Sequence, residues 1–282
     1  MSGNAGAGAP SGSPAERGAG FGMGPAILFC PADRPERYAK AAEWADAVIL
    51  DLEDAVAAHE KPAAREALLA HPLDPDRTIV RVNPMGTDDF ELDLETLARS
   101  PYRTVMLAKA VTAEGLDGFD VIALCETAAG VLAAPALAAA PNVVALMWGA
   151  EDLVASLGGT SSRTADGRYR PVAAHARSSV LLAAGAHGKA AIDSVYLDIP
   201  DLDGLAAEAT DAAAVGFAAT ACIHPSQVPV IRAAYAPTEA EVAHARALLA
   251  AATGQRGVFT FNGRMVDGPV LRHAERVLRR AR

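Results

Sequence analysis

The sequence is poor in aromatic residues, lysine and cysteine, and each shortage closes off a class of protein. Aromatics make up 5% of the 282 residues, and four lysines stand against 21 arginines. Three cysteines, Cys30, Cys125 and Cys222, each sit in an apolar run, and no Cys-x-x-Cys pair occurs. An odd number without that spacing argues against a disulfide framework and reads as buried thiols in a reducing, cytoplasmic setting. No apolar run reaches ~18 residues without a charge or a helix breaker, so no membrane span is expected. The net charge is −9 with no long basic stripe, which argues against nucleic acid as a partner. Residues 1–23 are dominated by Gly, Ala, Ser and Pro, with Glu16 and Arg17 the only charges. They lack the apolar segment of a secretory signal and read as a disordered tail.

Alanine is what the chain has in excess, at 65 residues, within a hydrophobic fraction of 51%. A ~300-residue chain buries roughly 75% of its unfolded surface, so a sizeable core is within reach. From residue 24 short apolar runs alternate with alanine-rich amphipathic stretches. The runs Ala26–Pro31, Ala47–Glu53, Thr78–Asn83, Thr104–Lys109, Val121–Glu126, Val143–Trp148, Ser194–Asp198 and Thr220–His224 give eight expected strands. Their continuous apolar character suits parallel strands buried on both faces. Helices are expected over Pro35–Trp44, Lys61–Ala70, Asp88–Arg99, Gly130–Ala140, Val172–Ala184 and Leu202–Val215, with a turn or two of helix between strands four and five.

Eight strand–helix units in about 210 residues predict an α/β fold, a closed (β/α)8 TIM barrel over residues 24–235. The competitor, an open doubly wound sheet, is weakened because no Gly-x-Gly-x-x-Gly follows the first strand. Residues 236–282 form a C-terminal arm. It begins with a helix to about Thr253, N-capped by Thr238. A strand at Val258–Asn262, a turn at Asn262-Gly263 and the segment Arg264–Asp267 follow. A last helix, Pro269–Arg282, carries five arginines against one glutamate. Such an arm must pack on its own barrel or on a neighbour's.

In a barrel of this kind reacting groups gather at the C-terminal strand ends. Here those ends are polar: Asp51, Glu53 and Asp54, then Arg81, Lys109, Glu126, Asp152, Asp198 and His224. Glu126 and Asp152 follow neighbouring strands, and two carboxylates completed by water and substrate oxygens suit Mg²⁺. Helix capping or pairing with arginine explains the same carboxylates equally well. Cys125 points to the opposite face from Glu126 and is a poor ligand. Arg81 either pairs with the carboxylates of strand two or grips a substrate carboxylate. Lys109 either forms a Schiff base or, the favoured reading, neutralises the acidic cluster. His224 is either a base or a structural hydrogen-bonding group. Arg163, Arg168 and Arg170, in the long connection 158–170, either bind phosphates or belong to a solvated loop.

Several segments together resemble the citrate lyase β-subunit family, within the broader HpcH/HpaI aldolases and acyl-CoA lyases. They are Leu28–Arg37, Ala45–Val56, Lys61–Arg65, Val80–Asn83, Trp148–Leu153, Ile223–Gln227 and Gly263–Asp267. The likeness spans about residues 25–280 and is greatest to the family's stand-alone members. It implies a TIM barrel with a C-terminal arm, assembled as a homotrimer with a shared active site. It implies that Glu126 and Asp152 hold Mg²⁺ (or Mn²⁺), with Asp51, Glu53, Asp54 and Lys109 around them. It implies that Arg81, Glu126, Gly149 and Ala150 contact a 2-oxo acid, and that Asp267 reaches a neighbouring subunit's site as an acid or base. The activity implied is Mg²⁺-dependent carbon–carbon cleavage of a malyl-CoA or citramalyl-CoA type thioester to acetyl-CoA and a 2-oxo acid. Two alternatives stay open: thioester hydrolysis at the same site, or a subunit that works only with partner subunits. The chain departs from the family in having Ala108 before Lys109, and Thr220-Ala221 where Gly-Lys is usual, which leaves that loop's usual substrate contacts open.

Overall fold

A computed structural model describes residues 21–255 and 257–281. The tail expected over residues 1–23 lies outside the described residues as far as residue 20.

Eight parallel strands close into one barrel: β1 (Ala26–Pro31), β2 (Ala47–Asp51), β3 (Thr78–Val82), β4 (Thr104–Leu107), β5 (Asp120–Cys125), β6 (Val143–Trp148), β7 (Ala190–Asp193) and β8 (Ala219–Cys222). Closure is made where Ala26, Ile27 and Leu28 of β1 pair with Thr220, Ala221 and Cys222 of β8. Eight helices accompany the barrel: α1 (Tyr38–Trp44), α2 (Lys61–Ala70), α3 (Asp88–Ala98), α4 (Ala128–Ala139), α5 (Ala150–Ser156), α6 (Pro171–Ala186), α7 (Leu202–Val215) and α8 (Val228–Tyr235).

The continuous apolar runs divide by their period of two. Ile27, Ile49, Ile79, Met106, Ile122, Leu124, Met147 and Ile192 fill the barrel interior. Their neighbours Leu28, Val48, Leu50, Val80, Val105, Leu107, Leu146 and Trp148 face outward into the helix layer. Both faces of each strand are thus buried, which is why no polar alternation marks them. The helices meet that layer through alanines, such as Ala134 and Ala138 of α4 and Ala173, Ala176 and Ala184 of α6. Small side chains let these helices lie close to the sheet. Thr87 and Thr127 cap α3 and α4 by accepting the Phe90 and Gly130 N–H groups at 3.2 and 3.0 Å.

Two expectations fail. Strand seven is Ala190–Asp193, not Ser194–Asp198. The Val195-Tyr196-Leu197 run suggests a strand, but these residues run on as loop after the ladder ends. The true strand begins Ala190-Ala191, which merges by composition with the alanine-rich helix before it. Between β4 and β5 the expected turn or two of helix is absent among the described residues. Gly115 and Gly118 sit there at φ +82° and +98°, in the left-handed region that no right-handed helix contains.

The arm comprises α9 (Glu239–Ala252), β9 (Phe259–Phe261), β10 (Arg264–Val266) and α10 (Gly268–Arg280). Thr238 caps α9 in a reciprocal box with Glu241. Asn262 and Gly263, at φ 50° and 73°, make the tight turn that their identities favour. Ala245, Leu248, Val266 and Ala274 form a small core of the arm's own. Arg280 ties the arm to its own barrel, donating to the carbonyls of Ala213 and Phe217 at 3.2 and 3.4 Å.

Replacing the fully buried Ile79 at the centre of the barrel interior tests this packing. Ile79→Ala is expected to lower unfolding free energy by about 3 kcal/mol and Ile79→Val by about 1 kcal/mol. Denaturant unfolding at constant slope is the measurement.

Candidate active site

The barrel positions its polar groups by register. Asp51 ends β2 directly beside Arg81 on β3, and the two form a two-pronged ion pair. Arg81 Nε donates to Asp51 Oδ1 at 2.7 Å and Nη2 to Oδ2 at 2.6 Å. Its Nη1 lies 3.0 Å from Glu53 Oε2, and the Phe29 ring packs against the guanidinium at 5.1 Å. Burial works against the charge of Arg81, yet the bonds and charges of Asp51 and Glu53 hold its pKa above the ordinary value. Asp51 is saturated, because it also accepts the backbone N–H groups of Glu53 and Ala55 at 2.9 and 3.2 Å. Three of the five guanidinium N–H groups are committed in this way, and two are spare.

Lys109 follows β4 and is bonded to Glu53, with Asp54 at 3.3 Å and Asp152 at 3.6 Å. Burial opposes its charge, but Glu53, Glu126 and Asp152 raise its pKa. Burial raises the Glu53 pKa against the pull of Arg81 and Lys109. In Asp54 burial is again the largest single influence, but Lys109 and the hydrogen bonds outweigh it and lower the pKa. A lysine so protonated is a poor nucleophile, and its geometry matches the neutralising role.

Glu126 follows β5 and is 3% exposed. Its Oε1 accepts the Lys109 backbone N–H at 3.0 Å, and no cationic side chain lies within ion-pair distance among the described residues. Burial, then the charge of Asp152, pushes its carboxyl up to about 8 against the pull of Arg81 and Lys109. Gly149, after β6, makes this placement possible. A Cβ there would sit 2.8 Å from Glu126 Cβ and 3.0 Å from its Oε2. Gly149 leads into α5, whose first turn carries Asp152. Asp51, Asp54, Arg81, Glu126, Gly149, Ala150 and Asp152 line one cavity of about 250 Å³ at the C-terminal rim, and Glu53 and Lys109 adjoin it.

Among the described residues, arginine therefore accounts for Asp51 and Glu53 but leaves Glu126 and Asp152 without a guanidinium. No three His, Cys, Asp or Glu side chains converge as a ready metal cage among the described residues. A buried carboxyl short of positive charge, facing a second carboxylate, fits a cation that takes two protein oxygens and keeps water on its remaining positions, as Mg²⁺ does.

The other candidates lie apart from this cavity. Asp267 caps α10, accepting the Val270 N–H at 3.3 Å, and does not line the cavity of its own chain. His224 Nδ1 pairs with Ser226 Oγ at 2.7 Å and closes a turn. Arg163 is held by Glu208 at 2.8 Å and stacks on Tyr169 at 3.8 Å, so its phosphate-binding reading loses force. Arg168 pairs with Asp166 at 2.7 Å. The three thiols are buried and pushed up to about 11 or 12 by burial, out of the reactive range. Asp198, expected at the end of strand seven, lies in the loop beyond it; Asp193 holds the strand end instead. Asp193 accepts the Trp148 indole N–H at 2.6 Å and the Arg177 Nη2 at 2.8 Å. It thereby joins β6, β7 and α6 beside the pocket residues Gly149 and Ser194. The pairing of a tryptophan at one strand end with an aspartate at the next was the signal available in the sequence.

The Glu126 carboxyl generates a pH prediction. Its folded value of about 8 lies above its ordinary 4.5, so the unfolded chain gives up this proton first. In metal-free protein the group therefore costs stability increasingly as pH rises from about 4.5 to 8. Glu126→Gln should stabilise the protein in EDTA more at pH 8 than at pH 5, by about 2–3 kcal/mol. Thermal or denaturant unfolding at both pH values checks this, and Mg²⁺ should then stabilise the wild type but not the variant.

A model of the family described as HpcH/HpaI aldolase/citrate lyase matches residues 26–119 and 116–225. Over 261 residues the chain is 61% identical to the citrate lyase subunit beta-like protein of Mycobacterium tuberculosis, covering 92% of this chain and 96% of that protein. It is 33% identical over 288 residues to the mitochondrial citramalyl-CoA lyase of Homo sapiens, covering 89% and 83%. The fold matches the crystal structure of CitE from Mycobacterium tuberculosis in complex with magnesium, acetoacetate and coenzyme A. The TM-score is 0.87 at 61% identity, over 92% of this chain and 98% of that one. On a family model that spans the barrel and relatives matched along most of their length, the chain belongs to the HpcH/HpaI aldolase/citrate lyase family.

Proposed function

We propose that this protein is a Mg²⁺-dependent carbon–carbon lyase that cleaves a 3-hydroxyacyl-CoA thioester of the malyl-CoA or citramalyl-CoA type. The products are acetyl-CoA and a 2-oxo acid. The observation that carries the reading is the pair Glu126 and Asp152, without a guanidinium partner among the described residues, beside an Arg81 with N–H groups to spare. Relatives bearing the names citramalyl-CoA lyase and citrate lyase subunit beta-like protein, and a CitE structure holding magnesium, acetoacetate and coenzyme A, support it.

Glu126 and Asp152 would hold Mg²⁺, with Mn²⁺ an alternative of similar chemistry. When bound, the ion supplies the charge that polarises the carbonyl of the 2-oxo acid. Arg81, anchored by Asp51 and Glu53, has no rotational freedom left and presents its spare N–H groups to the oxo-acid oxygens. Gly149 and Ala150 form the wall against which the acid lies. Cleavage breaks the bond between the thioester α-carbon and the carbinol carbon: the carbinol hydroxyl gives up its proton as the carbonyl of the 2-oxo acid forms, and the α-carbon, which keeps the electron pair, must then gain a proton. Asp267 is assigned that transfer. In its own chain it caps a helix in the arm, away from the cavity, so a neighbouring copy's arm must bring it. This makes the working unit an oligomer with shared sites, a homotrimer by resemblance. Glu53 and Asp54 would order water around the metal, while Asp51 is taken up in fixing Arg81. Arginines on the face of α10 are left for the CoA phosphates. Three buried free thiols suit a cytoplasmic location.

Purified protein is expected to release acetyl-CoA and a 2-oxo acid from malyl-CoA or citramalyl-CoA with Mg²⁺, and nothing in EDTA. Free CoA with an intact hydroxy acid would mark a thioesterase instead. Activity appearing only on addition of partner subunits would mark a dependent subunit. Metal-independent cleavage trapped by borohydride at Lys109 would replace the mechanism with a Schiff base.

Arg81→Lys keeps the charge but loses the two-pronged geometry, and a fall in kcat/KM of about 100-fold is expected. Arg81→Ala and Asp267→Asn chains, each inactive alone, should regain part of the activity when unfolded and refolded together. No regain with proven mixed assembly would refute the shared site.

A further inference from the structure

We infer that Lys109 is the site's internal counter-cation, holding Asp152 until a divalent ion replaces it there. This rests on reading Glu126 and Asp152 as the metal pair. Lys109 touches both members. Its backbone N–H donates to Glu126 Oε1 at 3.0 Å, and its ammonium lies 3.6 Å from Asp152 Oδ1. The same ammonium is bonded to Glu53 and lies 3.3 Å from Asp54 Oδ2. It therefore has two carboxylates to fall back on when Asp152 is taken from it.

The backbone carries a mark of this arrangement. Lys109 sits at φ 51°, a left-handed conformation shared among the described non-glycine residues only with Asn262 of the hairpin turn. A lysine keeps such a conformation only where surrounding contacts over-determine it. Here the contacts are the hydrogen bond from the backbone N–H to Glu126 at one end and the ion pairs at the other.

The electrostatics set the direction of the effect. An ammonium and a divalent ion on one carboxylate repel each other, and inner-sphere binding of Mg²⁺ brings the ion to about 2.1 Å from oxygen. The doubly charged ion wins Asp152, and the ammonium stays with Glu53 and Asp54. No bond or proton is transferred; one cation is exchanged for another. Lys109 thus weakens metal binding while it keeps Glu53, Asp54 and Asp152 from repelling one another in the metal-free protein. A lysine that merely organised the ligands would do the reverse and strengthen metal binding.

The test is calorimetric titration of the metal-free, full-length protein with MgCl2, without any assay of turnover. Lys109→Gln and Lys109→Gly are expected to bind Mg²⁺ about tenfold more tightly than wild type, and Lys109→Arg within about twofold of it. Glycine is at ease at this φ and keeps the N–H to Glu126, so Lys109→Gly isolates the ammonium and decides where the two neutral variants differ or Lys109→Gln fails to fold. In EDTA the melting temperature of Lys109→Gln should fall below wild type, and Mg²⁺ should raise it by a larger interval. Unchanged or weaker Mg²⁺ binding by Lys109→Gly, with wild type binding normally, would overturn the exchange and leave the metal pair standing. A wild type that binds no Mg²⁺ would overturn the metal pair itself.

Discussion

Five carboxylates, those of Asp51, Glu53, Asp54, Glu126 and Asp152, meet at one rim of the barrel, and two cations, Arg81 and Lys109, answer them there. The deficit falls on a buried carboxyl, that of Glu126, which is pushed up to about 8. Burying such a group costs free energy that an apolar residue of similar size would not. A fold selected for stability alone would not keep it. The remainder of the rim makes sense as the means of holding this group in place, with Gly149 giving up its side chain so that Glu126 can lie against the backbone.

The barrel makes the arrangement possible because its strands are parallel and its rim is shared. Residues following β2, β3, β4, β5 and β6 come together without any of them being close in sequence. Arg81 and Asp51 are 30 residues apart and form the two shortest contacts of their cluster that link strands directly. Behind the rim, Asp193 ties Trp148 and Arg177 together, so the strand ends carrying Gly149 and Ser194 share one rigid support. The arm has its own small core and a single arginine seated on barrel carbonyls. That economy of contact suits an element whose proposed work is done on a neighbouring copy.

Much of this was legible beforehand, and the exceptions have physical causes. Lys61–Ala70, Val143–Trp148 and Leu202–Val215 occur where the patterns predict them, since their periodicity and flanking residues agree. Thr238 and Asn262-Gly263 carry local chemistry, a cap and a turn, that needs no tertiary context. Strand seven was hidden because Ala190-Ala191 fits a helix as readily as a strand, and the run Val195-Tyr196-Leu197 stood just beyond it. Among the charged residues, composition could not separate Arg163, which is consumed by Glu208 and Tyr169, from an arginine free to meet a ligand.

The sequence by itself determined the barrel, through seven apolar runs that are strands and an eighth misplaced by a few residues, and most of the polar residues at its rim. It also carried the family resemblance, which rests on short motifs in a fixed order. Tertiary structure alone decided how the rim charges are shared: Arg81 to Asp51 and Glu53, Lys109 across Glu53, Asp54 and Asp152, and, among the described residues, no cationic side chain paired with Glu126. The reason is one of distance. Ion pairing and desolvation are settled within about 3–4 Å, between residues as far apart in the chain as Lys109 and Glu53, 56 positions. Local periodicity, which reaches a turn or a strand at a time, holds no record of them.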